Sequence, residues 1–215
     1  MLRLQGIPGK RRKEMRKLIL SLFLVGLICA VPPVHASQGN ALGFGDAAIK
    51  IDWFRFTDNG LADMDLENGV YVGLEVYYVI GCISPNLYFG AEIGWAGTST
   101  SVDPYSLDLN VDYVPVEFNL KYVFDITPCV KFDLGAGISA NWFGFEADFG
   151  NVSYSSDDWL FGGQFFADVN YRLAPNWFVG ANIKYQITQD IELDGVNTHT
   201  SADNFRLGAQ VGYTF

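Results

Sequence analysis

Over the last twelve residues the odd positions are Phe205, Leu207, Ala209, Val211, Tyr213 and Phe215. The even positions are Asn204, Arg206, Gly208, Gln210, Gly212 and Thr214. Successive side chains of a strand point to opposite faces, so this period of two predicts a strand with one apolar and one polar side. The pattern recurs upstream. Trp177, Val179, Ala181, Ile183, Tyr185 and Ile187 alternate with Phe178, Gly180, Asn182, Lys184, Gln186 and Thr188. Val130, Phe132, Leu134, Ala136 and Ile138 alternate with Lys131, Asp133, Gly135, Gly137 and Ser139. Similar stretches near 45–56, 70–80, 87–95, 108–124 and 161–173 bring the expectation to eight strands. In the fourth the apolar side changes around Tyr113-Val114-Pro115, which predicts a bulge, because proline cannot donate to a ladder.

The connections alternate in length. Ser84-Pro85-Asn86, Thr127-Pro128-Cys129 and Ala174-Pro175-Asn176 mark tight turns, whereas 57–68, 98–107, 149–158 and 189–203 are long and polar. Two of the turns head similar strands, Pro85-Asn86-Leu87-Tyr88-Phe89-Gly90 and Pro175-Asn176-Trp177-Phe178-Val179-Gly180, so an up-down hairpin is the repeating unit. Short turns at one end and long loops at the other are the layout of a membrane-spanning barrel, with both termini at the short-turn end. The expected fold class is therefore all-β, an eight-stranded antiparallel up-and-down transmembrane β-barrel.

An aqueous β-sandwich would alternate as well, but its outward face would carry charge. Charge separates the two readings. Lys50, Lys121, Lys131, Arg172, Lys184 and Arg206 all fall on the polar side of their strands, joined by Asp46, Asp52, Glu75, Glu92, Glu117, Asp133 and Asp168. The apolar side carries no charge along the middle of the strands. Such a division fits hydrocarbon outside and a polar lumen inside. Near mid-height Lys50, Glu75, Glu92, Glu117, Asp168 and Lys184 are expected to meet as a paired network, with Tyr71, Tyr77, Phe166 and Phe178 narrowing the space further.

The segment before the strands reads differently. Lys10-Arg11-Arg12-Lys13 and Arg16-Lys17 precede an apolar run over 18–31 and a Val34-His35-Ala36 site, the pattern of a secretory signal cut after Ala36. Met15 begins a compact signal by itself, which makes it a candidate start. Of the 14 Lys+Arg and 24 Asp+Glu, residues 1–36 hold seven bases and one acid, so cleavage takes the net charge from −10 to −16. A chain that acidic is a poor nucleic-acid binder. Cleavage leaves residues 37–215 as one barrel domain. Fifteen acids lie in or beside the four long loops, which suits divalent cations, lipopolysaccharide or a basic partner. Asp63-x-Asp65-x-Glu67 has a calcium-like spacing, but the Gly69 and Glu75 offsets miss the loop pattern, and no metal or cofactor is expected.

Aromatic placement adds a frame. Trp53, Trp95, Trp142 and Trp159 are expected near the long-loop interface, and Trp177, Phe124 and Phe215 near the short-turn interface, as two girdles at headgroup level. Cys82 and Cys129 both fall in short turns facing an oxidising compartment, so a disulfide between them is a candidate.

Segments 130–138, 158–164 (Asp158-Trp159-Leu160-Phe161-Gly162-Gly163-Gln164), 176–179 and the terminal Gly212-Tyr213-Thr214-Phe215 carry a family likeness. Over residues 37–215 the chain resembles the small outer-membrane barrels of the protein W, protein X and opacity type. The resemblance implies the outer membrane of a Gram-negative cell, contact with its lipid and lipopolysaccharide, a monomer, and periplasmic termini. Tyr213 and Phe215 look like the terminal signal read by the barrel-assembly machinery, with Gln210 where that signal usually has glycine. The protein W group is associated with passage of small hydrophobic molecules; the charged lumen expected here argues against carrying that over. A porin-like or structural barrel with restricted passage is the leading expectation, and an acidic-loop binding protein the alternative. His199-Thr200-Ser201 is similar to the H-x-S of lipid A deacylases, but adjacent residues do not make a triad, and no catalytic residue is expected.

Overall fold

The computed structural model describes residues 45–102, 107–149, 152–193 and 196–215. The expected leader, residues 1–36, lies outside the described residues. The strands are β1 (Gly45–Phe56), β2 (Asn68–Val79), β3 (Leu87–Val102), β4 (Leu107–Asp125), β5 (Val130–Phe149), β6 (Val152–Arg172), β7 (Trp177–Thr188), β8 (Asp190–Leu193), β9 (Val196–Ser201) and β10 (Asn204–Thr214). Eight of them close a ring in the order β1-β10-β7-β6-β5-β4-β3-β2, every neighbour antiparallel. At the seam β1 and β10 pair from Asp46↔Thr214 to Phe56↔Asn204, and Gly45 and Phe215 exchange backbone bonds of 3.1 and 2.9 Å. Closure leaves no edge strand, which lets a sheet cross hydrocarbon without an unpaired amide.

Side chains sort as the alternation requires. Lys50 and Arg206 are fully buried, whereas Ile51, Ile138 and Phe161 on the opposite face are 61, 68 and 63 % exposed. An apolar wall of that extent is stable against lipid and not against water.

Two expectations about the strands are corrected. The first is the bulge in β4. Its pairing with β5 runs unbroken from Leu107↔Phe149 to Asp125↔Lys131. Its pairing with β3 keeps one register on both sides of Pro115, skipping only the level of Gly94 and Trp95, where proline has no N–H to give. Inward positions stay odd from Leu109 to Val123. What changes along β4 is their chemistry, from Leu109, Val111 and Tyr113 to Glu117, Asn119 and Lys121. The surroundings outside the barrel change from water to lipid at that level, and the apolar face follows the surroundings. β5 inverts likewise, with Ser139 and Asn141 inward below Phe143 and Ala147.

The second correction concerns the long loops, much of which is strand. β3 continues through Val102, and β5 and β6 pair from Val130↔Tyr171 to Phe149↔Val152. The last loop holds the β8–β9 hairpin. The first holds a one-turn helix, α1 (Asn59–Ala62), whose N-cap Asp58 accepts from the Gly60 amide at 2.8 Å.

Cys82 and Cys129 are exposed free thiols, which corrects the candidate disulfide. Cys82 follows β2 and Cys129 precedes β5, three strand spacings apart around the ring, on the order of 14 Å. A disulfide needs Cα atoms within about 7 Å.

Candidate functional site: the filled interior

Six of the eight barrel strands send a charged side chain to one level of the lumen. Lys184 of β7 bridges Glu92 of β3 at 2.7 Å and Glu117 of β4 at 2.5 Å. Arg206 of β10 reaches the other oxygens of the same two carboxylates, with Glu92 at 3.4 Å and Glu117 in direct contact. Lys50 of β1 joins Glu92, at 3.3 Å, to Glu75 of β2, at 2.7 Å. The Tyr71 hydroxyl donates to Glu92 at 2.6 Å, and its ring lies 4.5 Å beneath the Arg206 guanidinium. Gly73 and Gly94 make the room that ring occupies, because a Cβ on either would collide with it. Charges removed from water survive only when paired and hydrogen-bonded. Here each buried carboxylate at the centre meets two or more cations or donors, except Glu75, which meets Lys50.

Asn182 donates to Asp52 at 2.9 Å at the edge of this central cluster. A second group lies toward the short turns. Lys121 sits 3.2 Å from both Asp46 and Asp133 and 4.0 Å from the centre of the Tyr77 ring. Asn170 donates to Asp133 at 3.1 Å. Asp168, also buried, lies within electrostatic reach of Lys50 and Lys121 and makes no hydrogen bond to the protein at either oxygen. Two expected members stand apart from the network. Lys131 is at the rim, 3.7 Å from the turn residue Asp125, and Arg172 is exposed at the same end. Both lie at the short-turn mouth of the lumen, where water reaches them.

Above the charged level come two layers that the charge pattern did not reveal. Gln186 is the hub of the first: it donates to Ser139 at 2.7 Å and Asn141 at 3.1 Å, and accepts from Tyr113 at 2.9 Å and Asn204 at 3.0 Å. Over it lies an apolar layer in which Phe54 and Phe56 meet edge-on at 4.6 Å and Phe56 packs on Tyr113 and Phe143. Leu61 and Leu66 from the first loop and Ile191 and Ala202 from the last complete this core. The two loops are tied together as well. The Ser201 amide and hydroxyl donate to Asp58 at 3.2 and 3.3 Å, and the Thr57 amide donates to the Asp203 carbonyl at 2.8 Å. Ser201 is thus held by Asp58, not set against His199.

The family model for the outer membrane protein beta-barrel domain matches residues 21–215. The chain belongs to that family. Similar folds occur in Neisserial surface protein A, with 21 % identity, 82 % of this chain and 100 % of that one covered, and a TM-score of 0.55. The outer membrane protein OprG from Pseudomonas aeruginosa has 13 % identity over 83 % of this chain and 98 % of its own, with a TM-score of 0.55. A major outer membrane protein from Thermus thermophilus has 10 % identity over 80 % and 100 %, with a TM-score of 0.53. These identities speak for the fold alone. No curated protein matches the sequence.

On the outer wall of this outer-membrane barrel the aromatic rings collect at two levels. Toward the short turns Trp177 packs edge-on against Tyr213 at 5.3 Å and Tyr78 against Phe215 at 5.7 Å, while Tyr122 and Phe124 lie tilted at 4.8 Å. Toward the loops Trp142 and Trp159 are cross-strand partners, Trp95 pairs with Val72, and Trp53 with Leu207. The indole N–H of Trp95 donates to Asp112 at 3.1 Å and that of Trp142 to Asp157 at 3.4 Å. Those bonds mark where the apolar wall becomes polar. Beyond them the described chain carries thirteen carboxylates and one Lys or Arg, Arg55, which lies 3.9 Å from Glu67.

Proposed function

We propose that this chain is a structural or porin-like outer-membrane barrel whose closed interior admits at most slow, restricted passage of solute. The observation that carries this reading is the stack of three layers across the lumen: the Lys184–Arg206–Glu92–Glu117 cluster, the Gln186 amide layer, and the Phe54–Phe56–Phe143 cap. A hydrated ion crossing it has to break buried ion pairs and then enter an apolar layer, and each step is costly. In this reading the long-loop end faces outward, both termini face the periplasm, and the barrel works as a monomer among lipopolysaccharide. Tyr213 and Phe215 serve as its assembly signal, and the Trp levels as membrane girdles. Planar-bilayer recording of the purified protein and of Glu92→Gln tests it. The native barrel is expected to give small, brief openings, and the variant, which unbalances Lys184 and Arg206, longer ones. A large, steady conductance indifferent to Glu92 contradicts the proposal.

A second reading, binding at the loops, is favoured by the thirteen carboxylates gathered at one end. Carboxylates of one sign steer and hold a cationic partner, and salt screens them. A polylysine peptide is expected to bind barrels reconstituted in neutral vesicles at low ionic strength and to dissociate near 1 M salt, where the Debye length is about 3 Å. Binding that ignores salt contradicts this reading.

A further inference from the structure

The outer wall steps down where β6 outruns β7. β6 and β7 pair only from Gly162↔Thr188 to Arg172↔Phe178, after which β7 turns into Gln189 while β6 continues past Phe161. Two adjoining hollows lie below and beside this step. The lower, about 360 Å³, is lined on the lipid-facing side by Ala136, Phe161, Gly163, Phe165 and Ile187. The upper, about 450 Å³, is lined by Asp158, Trp159, Gln189, Asp190, Glu192 and Asn197. Phe161 and Gln189 border both, so the hollows form one groove running from the hydrocarbon band into the acidic loops.

We infer that this groove holds a membrane lipid with a primary-amine head, its acyl tail in the Gly163 hollow and its ammonium among Asp158, Asp190 and Glu192. Charge complementarity chooses the head. The upper hollow presents three carboxylates, an indole face at Trp159 and no basic residue, a surface that attracts an ammonium and repels a bare phosphate. Burial chooses the tail, since the lower hollow is apolar and lies in the wall that faces lipid. Asp158 is fixed within the site: its oxygens accept the Glu192 amide at 2.9 Å and the Trp159 amide at 2.8 Å. Asp190 and Glu192 are exposed and free to turn toward a head group. The inference stands whether or not the lumen conducts and whichever way the loop end faces.

A nitroxide-labelled long-chain alkylamine, added to the barrel in phosphatidylcholine nanodiscs, tests it by broadening of amide resonances. Broadening is expected at Ala136, Gly163 and Ile187 and not at Val72 and Leu74, which face lipid on β2 across the barrel. Gly163→Leu fills the lower hollow without strain, because a Cβ there meets only the Gly137 carbonyl at 3.4 Å, and is expected to abolish the effect. Asp190→Asn with Glu192→Gln is expected to weaken the alkylamine about tenfold, the scale of one partly desolvated charge contact. Equal broadening around the whole barrel overturns the inference. So does an alkyl phosphate with the same label that competes as well as the amine.

Discussion

Arg206→Met is expected to destabilise the folded barrel by about 3–5 kcal/mol, the range found when one partner of a buried ion pair is removed. Methionine fills much of the same space, so little of the loss comes from a cavity. What is lost is the cation that touches the second oxygen of both Glu92 and Glu117, leaving Lys184 to serve two buried carboxylates and Lys50 to share Glu92. Urea titration in phospholipid vesicles, followed by tryptophan fluorescence, measures the change. Combining Arg206→Met with Glu117→Gln is expected to cost less than the sum of the two single changes, since the charge each strands is the other's partner. A loss below about 1 kcal/mol for Arg206→Met, the level of exposed pairs, shows the cluster to be wet and the lumen open.

Ala209→Arg carries the next largest effect, about 2–4 kcal/mol, the cost of a guanidinium at the hydrocarbon midplane of a barrel. Ala209 is exposed on the outer wall halfway along β10, between Ile51 and Ala181 on the neighbouring strands. Ser99→Arg is the matching control. Ser99 is exposed on the same face of the wall but beyond the Trp95 level, in the part of β3 that stands in water. There the substitution is expected to stay within about 0.5 kcal/mol, as for an ordinary surface site. Equal small effects at the two positions remove the lipid from around Ala209 and with it the membrane reading.

The sequence made the lipid-spanning part of the barrel legible because period two is strict there. A single parity error in β10 would have put Arg206 in hydrocarbon. The same strictness located Glu75, Glu92, Glu117, Lys121 and Lys184, whose charge makes their side of the strand unmistakable. The rest was hidden for two reasons. Gln186, Asn204 and Asn141 are neutral amides, and their role depends on which strands face across the lumen, a matter of register that no single strand records. The Phe54, Tyr113 and Phe143 layer was obscured because the apolar face changes sides at the waterline. In β4 that change resembles a bulge at Pro115; only the unbroken register shows that the backbone continues and the solvent is what changes. Lys131 and Arg172 have inward parity, but parity says nothing about height, and both sit at the rim.

The unequal strand lengths bear on what the protein can touch. β3 to β6 run 16, 19, 20 and 21 residues, while β1, β2, β7 and β10 stop at 11 or 12. At about 3.3 Å per residue and a tilt near 40°, the eight residues of β5 from Trp142 onward climb about 20 Å. The barrel thus carries a one-sided parapet, raised over β3 to β6 and low over its other half. A large visitor arriving from the aqueous side would be steered onto the low half, where the first and last loops are laced together through Asp58 and Ser201.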